Sequence, residues 1–220
     1  MPDFSISQRA LSIDVATLRD ELADDISQYR SEYAAEPAAE TAGAPILVLL
    51  SGLPGTGKSY FAQELSRRLP FVIVGSDRMR KTLLPNPKYD RREHARVFAA
   101  CHQVIEELLR EGYRVIFDAT NLNDKIRSGI YDIARRTNSP LGLVWFTAPP
   151  EIIRSRLNDR SSGLKSDSHS DADWQIYCRL RPGMEPIQGP HLKVDSSQSI
   201  SAALDQVLRM VNPPAGTTML

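Results

Sequence analysis

An octapeptide with three glycines constrains this 220-residue chain more than any other segment. Residues 52–59 read Gly-Leu-Pro-Gly-Thr-Gly-Lys-Ser and match the pattern G-x-x-x-x-G-K-[ST] in full. Glycines let the backbone curl so that successive N–H groups point at one place, which suits a phosphate group. The short apolar run 46–50 precedes the octapeptide, and apolar residues at helical spacing follow it. The segment therefore predicts a buried strand, a phosphate-binding loop and a helix, in that order.

The octapeptide also assigns roles to individual residues. Lys58 is expected to place its charge beside the β- and γ-phosphates, and Ser59 to bind Mg²⁺ through its hydroxyl. The following helix directs its positive end at the same anion. We therefore expect ATP to contact a continuous stretch of residues, namely Gly52, Leu53, Pro54, Gly55, Thr56, Gly57, Lys58, Ser59 and Tyr60.

Composition argues against several kinds of protein. The formal net charge is zero, so no global attraction to nucleic acid or to an anionic membrane is expected. The two cysteines, Cys101 and Cys178, lack metal-type spacing and are typical of reduced thiols. No signal segment is recognisable, and the apolar runs are too short to cross a bilayer. These features predict a cytoplasmic protein without a membrane partner. Neither a metal site nor a proton relay is indicated by the four scattered histidines, His94, His102, His169 and His191.

Residues 8–33 have the pattern of an amphipathic helix, because apolar residues recur every three or four positions. The alanine-rich segment 34–44 loses that pattern and is predicted to be a linker. We therefore divide the chain into an N-terminal helix with its linker (1–44), a main domain (45–212) and a C-terminal tail (213–220). The helix could pack on the main domain, pair with another copy or bind a partner. The general preference for burying an apolar stripe favours the first.

Predicted strands and helices alternate from Pro45 onward. The strands are expected at 46–50, 71–75, 113–118, 141–147 and 191–195. The helices are expected at 58–69, 77–84, 91–112, 124–137, 149–159, 171–181 and 198–211. This order predicts an α/β P-loop NTPase fold, a five-stranded parallel sheet with helices on both faces. Ligands of such sheets bind at the carboxyl ends of the strands, so the chemistry is expected in the loops that follow them.

Carboxylates follow two of these strands. Asp77 comes after the second strand, with Arg80 one helical turn beyond it. The carboxylate could take a proton from an acceptor hydroxyl while the arginine steadies the phosphoryl group, or Asp77 could cap a helix. Asp118 ends the third strand, where a carboxylate helps to hold Mg²⁺. Thr120 and Asn121 follow it with groups that could position a substrate. Arg127, in the next helix, faces either this site or solvent.

Two arginines suggest a lid over the phosphates. Arg156 and Arg160 are four residues apart and share a helix face, and the Ser-, Asp- and Gly-rich segment 161–172 follows them. Arginines beside a mobile segment suit a lid that closes over a triphosphate. A solvated basic face is the alternative. The phosphate loop favours the lid.

Together these motifs resemble those of the small P-loop kinases related to phage-type polynucleotide 5′-hydroxyl kinase, zeta toxins and chloramphenicol phosphotransferase, with bacterial ATP-binding proteins of the AAA_33 type. The resemblance spans about residues 45–211. It is carried by the octapeptide, by Ser-Asp-Arg-Met-Arg at 76–80, by Asp-Ala-Thr-Asn-Leu-Asn at 118–123 and by the Arg156/Arg160 pair. It implies that Asp77 is the catalytic aspartate, Arg80 an active-site arginine and Arg160 the lid arginine. Because Ala119 is inserted, Asp118 could touch either the metal or the acceptor.

These residues predict an ATP-dependent phosphotransferase that moves the γ-phosphate of ATP to a hydroxyl. Asp77 would be the base, and Lys58 and Arg160 would stabilise charge. The acceptor could be the 5′-hydroxyl of a nucleic acid or a small molecule such as a metabolite, nucleotide sugar or antibiotic. The Asp-Ala-Thr-Asn resemblance favours nucleic acid slightly, and a phosphate backbone could follow the basic residues Arg78, Arg80, Lys81, Arg91 and Arg92.

Other nucleotide-dependent proteins are less compatible with the sequence. The base-reading motif of GTPases and the signature motif of transporter ATPases do not occur in it, and it is short for a hexameric remodelling ATPase. A regulatory module remains an alternative. In that case the helix 8–33 binds a partner and the nucleotide controls the association.

Overall fold

A single parallel sheet forms the centre of the fold. The structure, a computed structural model, describes residues 15–24, 27, 45–84, 86–161, 170 and 172–211. Five strands lie in the order β2-β3-β1-β4-β5, and every neighbouring pair is parallel. The strands are β1 (Ile46–Ser51), β2 (Val72–Gly75), β3 (Arg114–Asp118), β4 (Leu141–Thr147) and β5 (Leu192–Asp195). The predicted sheet is confirmed, and each boundary lies within one residue of its expected place.

Helices connect the strands as the sequence predicts. Within the described residues they are α1 (Val15–Glu21), α2 (Lys58–Ser66), α3 (Ser76–Leu83), α4 (Arg91–Arg110), α5 (Asp124–Arg136), α6 (Pro150–Ser161), α7 (Trp174–Leu180) and α8 (Ser201–Val211). α7 begins three residues later than expected, because the Asp173 side chain caps it by accepting from the N–H of Ile176 at 2.8 Å.

The central strand β1 shows why both faces of the sheet are covered. Leu47 and Leu49 belong to an apolar cluster with buried residues of α3, α4 and α5. Ile46, Val48 and Leu50 belong to a second cluster with α2 and α8. Successive residues of a strand point to opposite faces, and all of β1 is buried. The predicted helices on both faces are therefore confirmed.

The N-terminal prediction is only partly covered by the described residues. Of the helix expected at 8–33, α1 is seen packed on α3 and α4 within the same chain. The linker 34–44, the tail 213–220 and residues 162–169 of the predicted lid lie outside the described residues. In the part of the chain that the structure describes, no helix has both the length and the apolar character needed to cross a membrane.

Candidate active site

The glycine-rich loop leaves β1 and enters α2 at the carboxyl end of the sheet. Gly55 and Gly57 have φ angles of 80° and 85°, which residues other than glycine rarely adopt. A Cβ on Gly52 would lie 2.8 Å from the carbonyl oxygen of Phe146, and one on Gly55 would lie 2.9 Å from the Cγ2 atom of Ile153. The loop therefore needs glycine both for its curl and for its close packing against β4 and α6.

Lys58 lies inside the curl of this loop. Its Nζ donates to the carbonyl oxygens of Gly52 and Leu53 at 2.9 Å and 3.1 Å. Burial lowers the pKa of Lys58, while the charges of Asp118 and Asp77 act in the opposite direction. Because an ammonium has three donors, these two bonds leave one for a phosphate oxygen.

Ser59 and Asp118 join the loop to the end of β3. The Ser59 hydroxyl donates to the Asp118 carboxylate. Burial raises the pKa of Asp118, although Lys58 and the Ser59 hydroxyl act against that change. A hydroxyl and a carboxylate are oxygen ligands of the kind that Mg²⁺ prefers. The residues present therefore fit a magnesium ion.

Asp77, in the first turn of α3, lies near the residues that would bind the phosphates. We call these residues, Lys58, Asp118 and Arg160, the phosphate side of the site. The charge of Asp77 acts on Lys58, Asp118 and Arg160, so these groups share one electrostatic environment. The N-cap of α3 is Gly75, which has no side chain with which to cap the helix. Asp77 is therefore not the N-cap residue that the sequence allowed as an alternative.

Asp77 also faces a second group of residues, on α3 and α4. Its charge and that of Arg80 both act on His94 and on the buried Cys101. Burial lowers the pKa of His94 and raises that of Cys101 to about 12. We call this second group, formed by Arg80, His94 and Cys101, the α3–α4 side. No sequence pattern indicated His94, because this residue joins the site only through the packing of α4 on α3.

Arg80 is buried and paired with Glu93. Its Nη1 donates to Oε1 of Glu93, and its guanidinium lies 4.9 Å from the centre of the Tyr89 ring. Glu93 also accepts from the backbone N–H groups of Lys88 and Tyr89 at 2.6 Å and 3.2 Å. Burial raises the pKa of Glu93, but these hydrogen bonds together lower it. The Nε of Arg80 has no hydrogen-bond partner within the described part of the chain.

Arg127 does not face solvent, which was one of the two orientations that the sequence allowed. It is fully buried and donates to the carbonyl oxygens of Asn121, Glu185 and Pro186 at 3.0 Å, 3.2 Å and 3.3 Å. Asn121 in turn donates from Nδ2 to the carbonyl of Leu50 at 2.7 Å. Arg127 and Asn121 thus brace the loop after β3 against the end of β1, whereas the predicted role of Asn121 is contact with a substrate.

The two arginines of α6 have different surroundings. Arg156 donates from Nη1 to the Ser196 hydroxyl at 2.8 Å and to the carbonyl of Gly55 at 3.3 Å, and from Nη2 to the carbonyl of Ser196 at 2.7 Å. It links the phosphate loop to the turn after β5. Arg160 is half-buried near the carboxylates, and burial lowers its pKa although Asp77 and Asp118 act in the opposite direction. Tyr60, also predicted to contact ATP, is 59% exposed on α2.

Comparison with protein families gives one match that covers most of the domain. The AAA_33 model, described as an AAA domain, matches residues 47–177. Among curated proteins, the chain is 24% identical to the L-seryl-tRNA(Sec) kinase of Methanococcus maripaludis over 127 residues, which are 56% of this chain and 49% of that kinase. The chain thus spans about half the length of that relative.

Solved kinase structures share the fold. The APS kinase CysC of Mycobacterium tuberculosis, in complex with AMPPNP and APS, aligns with a TM-score of 0.58 and 17% identity over 76% of this chain and 98% of its own. A chain of the Pnkp1/Rnl/Hen1 RNA repair complex aligns with a TM-score of 0.54 and 21% identity over 64% and 44% of the two chains. The P-loop kinase fold predicted from the sequence is therefore confirmed.

Proposed function

Because the chain belongs to the AAA_33 family of AAA domains, we propose that it is an ATP-dependent kinase that transfers the γ-phosphate of ATP to a hydroxyl group. One observation carries this proposal. The charge of Asp77 acts both on Lys58, on the phosphate side of the site, and on His94, on the α3–α4 side. A carboxylate between the two sides is where a base for phosphoryl transfer belongs. The sequence and structural relatives support the proposal, since several are kinases by name.

The phosphate loop and its neighbours would bind ATP. Lys58 would donate to the phosphates, and Arg160 would stabilise the charge that develops during transfer. Arg156 acts on the loop itself, because its guanidinium already holds Gly55 and Ser196. Ser59 and Asp118 would hold Mg²⁺, which neutralises phosphate charge when it is bound.

Asp77 would remove the proton of the acceptor hydroxyl. The acceptor oxygen then forms a bond to the γ-phosphorus while the bond from that phosphorus to the bridging oxygen of ADP breaks. Arg80 would lie beside the acceptor on the α3–α4 side, where Glu93 fixes its Nη1. The pair holds the guanidinium rigid, which lowers the entropic cost of binding an acceptor.

We propose the 5′-hydroxyl end of a nucleic acid as the acceptor. Two of the basic residues expected to follow a phosphate backbone are engaged elsewhere, since Arg78 pairs with Glu21 and Arg80 with Glu93. The others lie on α3 and at the start of α4 and are exposed, and so are two further basic residues close to them in the chain. This exposed set comprises Lys81, Lys88, Arg91, Arg92 and Arg96. It supports a strand whose phosphates lie beyond the reacting hydroxyl.

A small hydroxyl compound is the second candidate. The zero net charge of the chain favours it, because nothing outside the local basic set would attract a long polyanion. The fold is also that of APS kinase, whose solved complex contains the small molecule APS.

Transfer from γ-labelled ATP tests the proposal. We expect label in a short 5′-hydroxyl oligonucleotide and none in the same oligonucleotide carrying a 5′-phosphate. Nucleosides, amino sugars and sugar acids serve as the small-acceptor arm. Label in a small acceptor alone would reject nucleic acid as the acceptor and would support the assignment of kinase activity. If the chain binds ATP but labels no acceptor and nothing in a cell extract, the proposed kinase activity is rejected.

A further inference from the structure

α1 packs on the two helices that form the α3–α4 side of the site. It contacts α3 and α4, and Leu22, the residue after its end, is fully buried in the same apolar cluster as Met79 of α3. α1 lies outside the family domain, whose matched residues begin at 47. The chain therefore adds to that domain a segment that touches the helix carrying Asp77.

A pair of polar contacts joins α1 to α3 directly beside the predicted base. The Nε of Arg78, the residue after Asp77, donates to Oε1 of Glu21 at 2.9 Å, and its Nη2 donates to the backbone carbonyl of Glu21. Both side chains are partly buried, so salt screens this pair less than a fully exposed one. Contact through both Nε and Nη2 also fixes the plane of the guanidinium.

A second ion pair fixes α1 to the C-terminal end of α4, where Glu111 is the C-cap residue. Arg19 donates from Nη1 and Nη2 to the two carboxylate oxygens of Glu111 at 2.7 Å and 2.9 Å. The hydrogen bond that Arg19 donates to Glu111 is the largest of the effects that raise the pKa of Arg19. α1 is thus held at Arg19 by α4 and at Glu21 by α3.

α3 depends on such contacts because it is short. It has eight residues, and its N-cap, Gly75, makes no side-chain hydrogen bond. A helix of this length is not stable in isolation, so its orientation is set by what packs against it. A small rotation of α3 would move Asp77 relative to Lys58.

We propose that α1 positions the base of the reaction, with Glu21 holding Arg78, and Arg78 holding α3 and therefore Asp77. The activity part of this inference rests on the proposed function, which makes Asp77 the base. Glu21 and Arg78 are positioning residues. This role differs from that of a regulatory module, whose helix would be dispensable for turnover.

Hydrogen exchange of the full chain tests the positioning without any acceptor. In Arg78→Ala and in the milder Glu21→Gln, we expect the amides of residues 78–83 to exchange about fivefold faster, because one partly buried ion pair is lost. The charge-swapped double variant, Glu21→Arg with Arg78→Glu, should recover much of the protection. Arg68→Ala is the matched control, since it breaks a pair between Arg68 and Asp205 on the opposite face of the sheet.

Unchanged exchange at 78–83 in both single variants would overturn the inference. Equally accelerated amide exchange in α2 would also overturn the inference, because it would indicate a general loss of stability.

The kinetic arm uses the 5′-hydroxyl oligonucleotide. The single variants should lower kcat by about fivefold while the Kd for ATP stays unchanged, and the double variant should restore kcat. A lower kcat that the swap does not restore, with normal exchange at 78–83, would contradict positioning. If the wild-type chain does not phosphorylate the oligonucleotide, the assigned acceptor is wrong, and the exchange experiment still decides the role of α1.

Discussion

The imidazole of His102 packs against Gly129 so closely that a Cβ at position 129 would lie 2.6 Å from its Cε1 atom. His102 is on α4 and Gly129 on α5, and both helices pack on the face of the sheet holding Leu47 and Leu49. The His102 ring also lies edge-on to Phe98 and Phe117, with centroids 6.1 Å and 6.0 Å away. The contact makes both residues sensitive to substitution.

Gly129→Ala should destabilise the fold although alanine favours helices. The added methyl must displace the His102 ring, and overpacking of this kind costs about 1–3 kcal/mol, against a helix-propensity gain of about 1 kcal/mol. We expect a net loss in the free energy of unfolding measured with urea. Gly183→Ala is the matched control, because an added Cβ there meets nothing within 4 Å. A Gly129→Ala variant as stable as that control would show that the helices separate without cost.

His102 should make the protein less stable in mild acid. Burial lowers the pKa of His102 to about 4, and the charge of Arg136 adds to the effect, whereas the unfolded imidazole takes up its proton near 6.5. Between these values the unfolded chain binds more protons, so stability falls as the pH falls from 6.5 towards 4. The lowered pKa of His94 acts in the same direction.

The measurement is the urea midpoint from pH 7.5 to 4.5. His102→Phe should make that midpoint less dependent on pH, and His191→Phe, at a half-buried histidine just before β5, is the matched control. Glu106, whose pKa is lowered to about 2 by hydrogen bonds from Arg136 and Arg110, affects stability only below about pH 4.5. If the urea midpoint of His102→Phe depends on pH as that of the wild type does, His102 is not the cause of the lower stability in mild acid.

Lys58→Ala should weaken ATP binding. The variant removes the buried ammonium that Gly52 and Leu53 hold inside the loop. We expect the Kd for ATP with Mg²⁺, measured by calorimetry, to rise at least about tenfold, which corresponds to about 1.4 kcal/mol. Arg68→Ala, in the turn after the C-terminal end of α2, should leave the Kd unchanged. Equal affinity in Lys58→Ala and wild type would mean that the loop does not bind the phosphates.

Asp77→Asn should stop transfer and keep nucleotide binding. The amide is similar in size but cannot accept the proton of the acceptor, so we expect kcat to fall by about a hundredfold or more. The Kd for ATP should change little, since Asp77 lies beside the phosphate loop and not within it. Transfer at the wild-type rate by this variant would assign the base to another group.

Arg156→Ala and Arg160→Ala should have different effects. Arg156 holds Gly55 and Ser196, so its loss should raise the KM for ATP and lower the melting temperature. Arg160 lies near the two carboxylates, and its loss should lower kcat by about a hundredfold with little change in stability. Steady-state kinetics with thermal unfolding of both variants checks the distinction. Identical kinetic defects would show that the two arginines act together on the triphosphate.

The sequence alone determined the elements whose signals are local. The octapeptide predicts a curled loop, and Gly55 and Gly57 have the positive φ angles of such a curl. The apolar runs place all five strands to within one residue. These features follow from the conformations that glycine allows and from the periodicity of apolar residues, both of which operate over a few neighbouring positions.

The tertiary structure decided which side chains meet. The sequence did not indicate that Glu93 holds Arg80, that Arg127 is buried in the loop after β3, or that Glu21 reaches Arg78. These partners lie on different elements, and their distances depend on how helices pack across the sheet. Hydrogen bonds and ion pairs form only within a few ångströms, whereas the sequence pattern fixes the face on which a residue lies but not the partner that it contacts there.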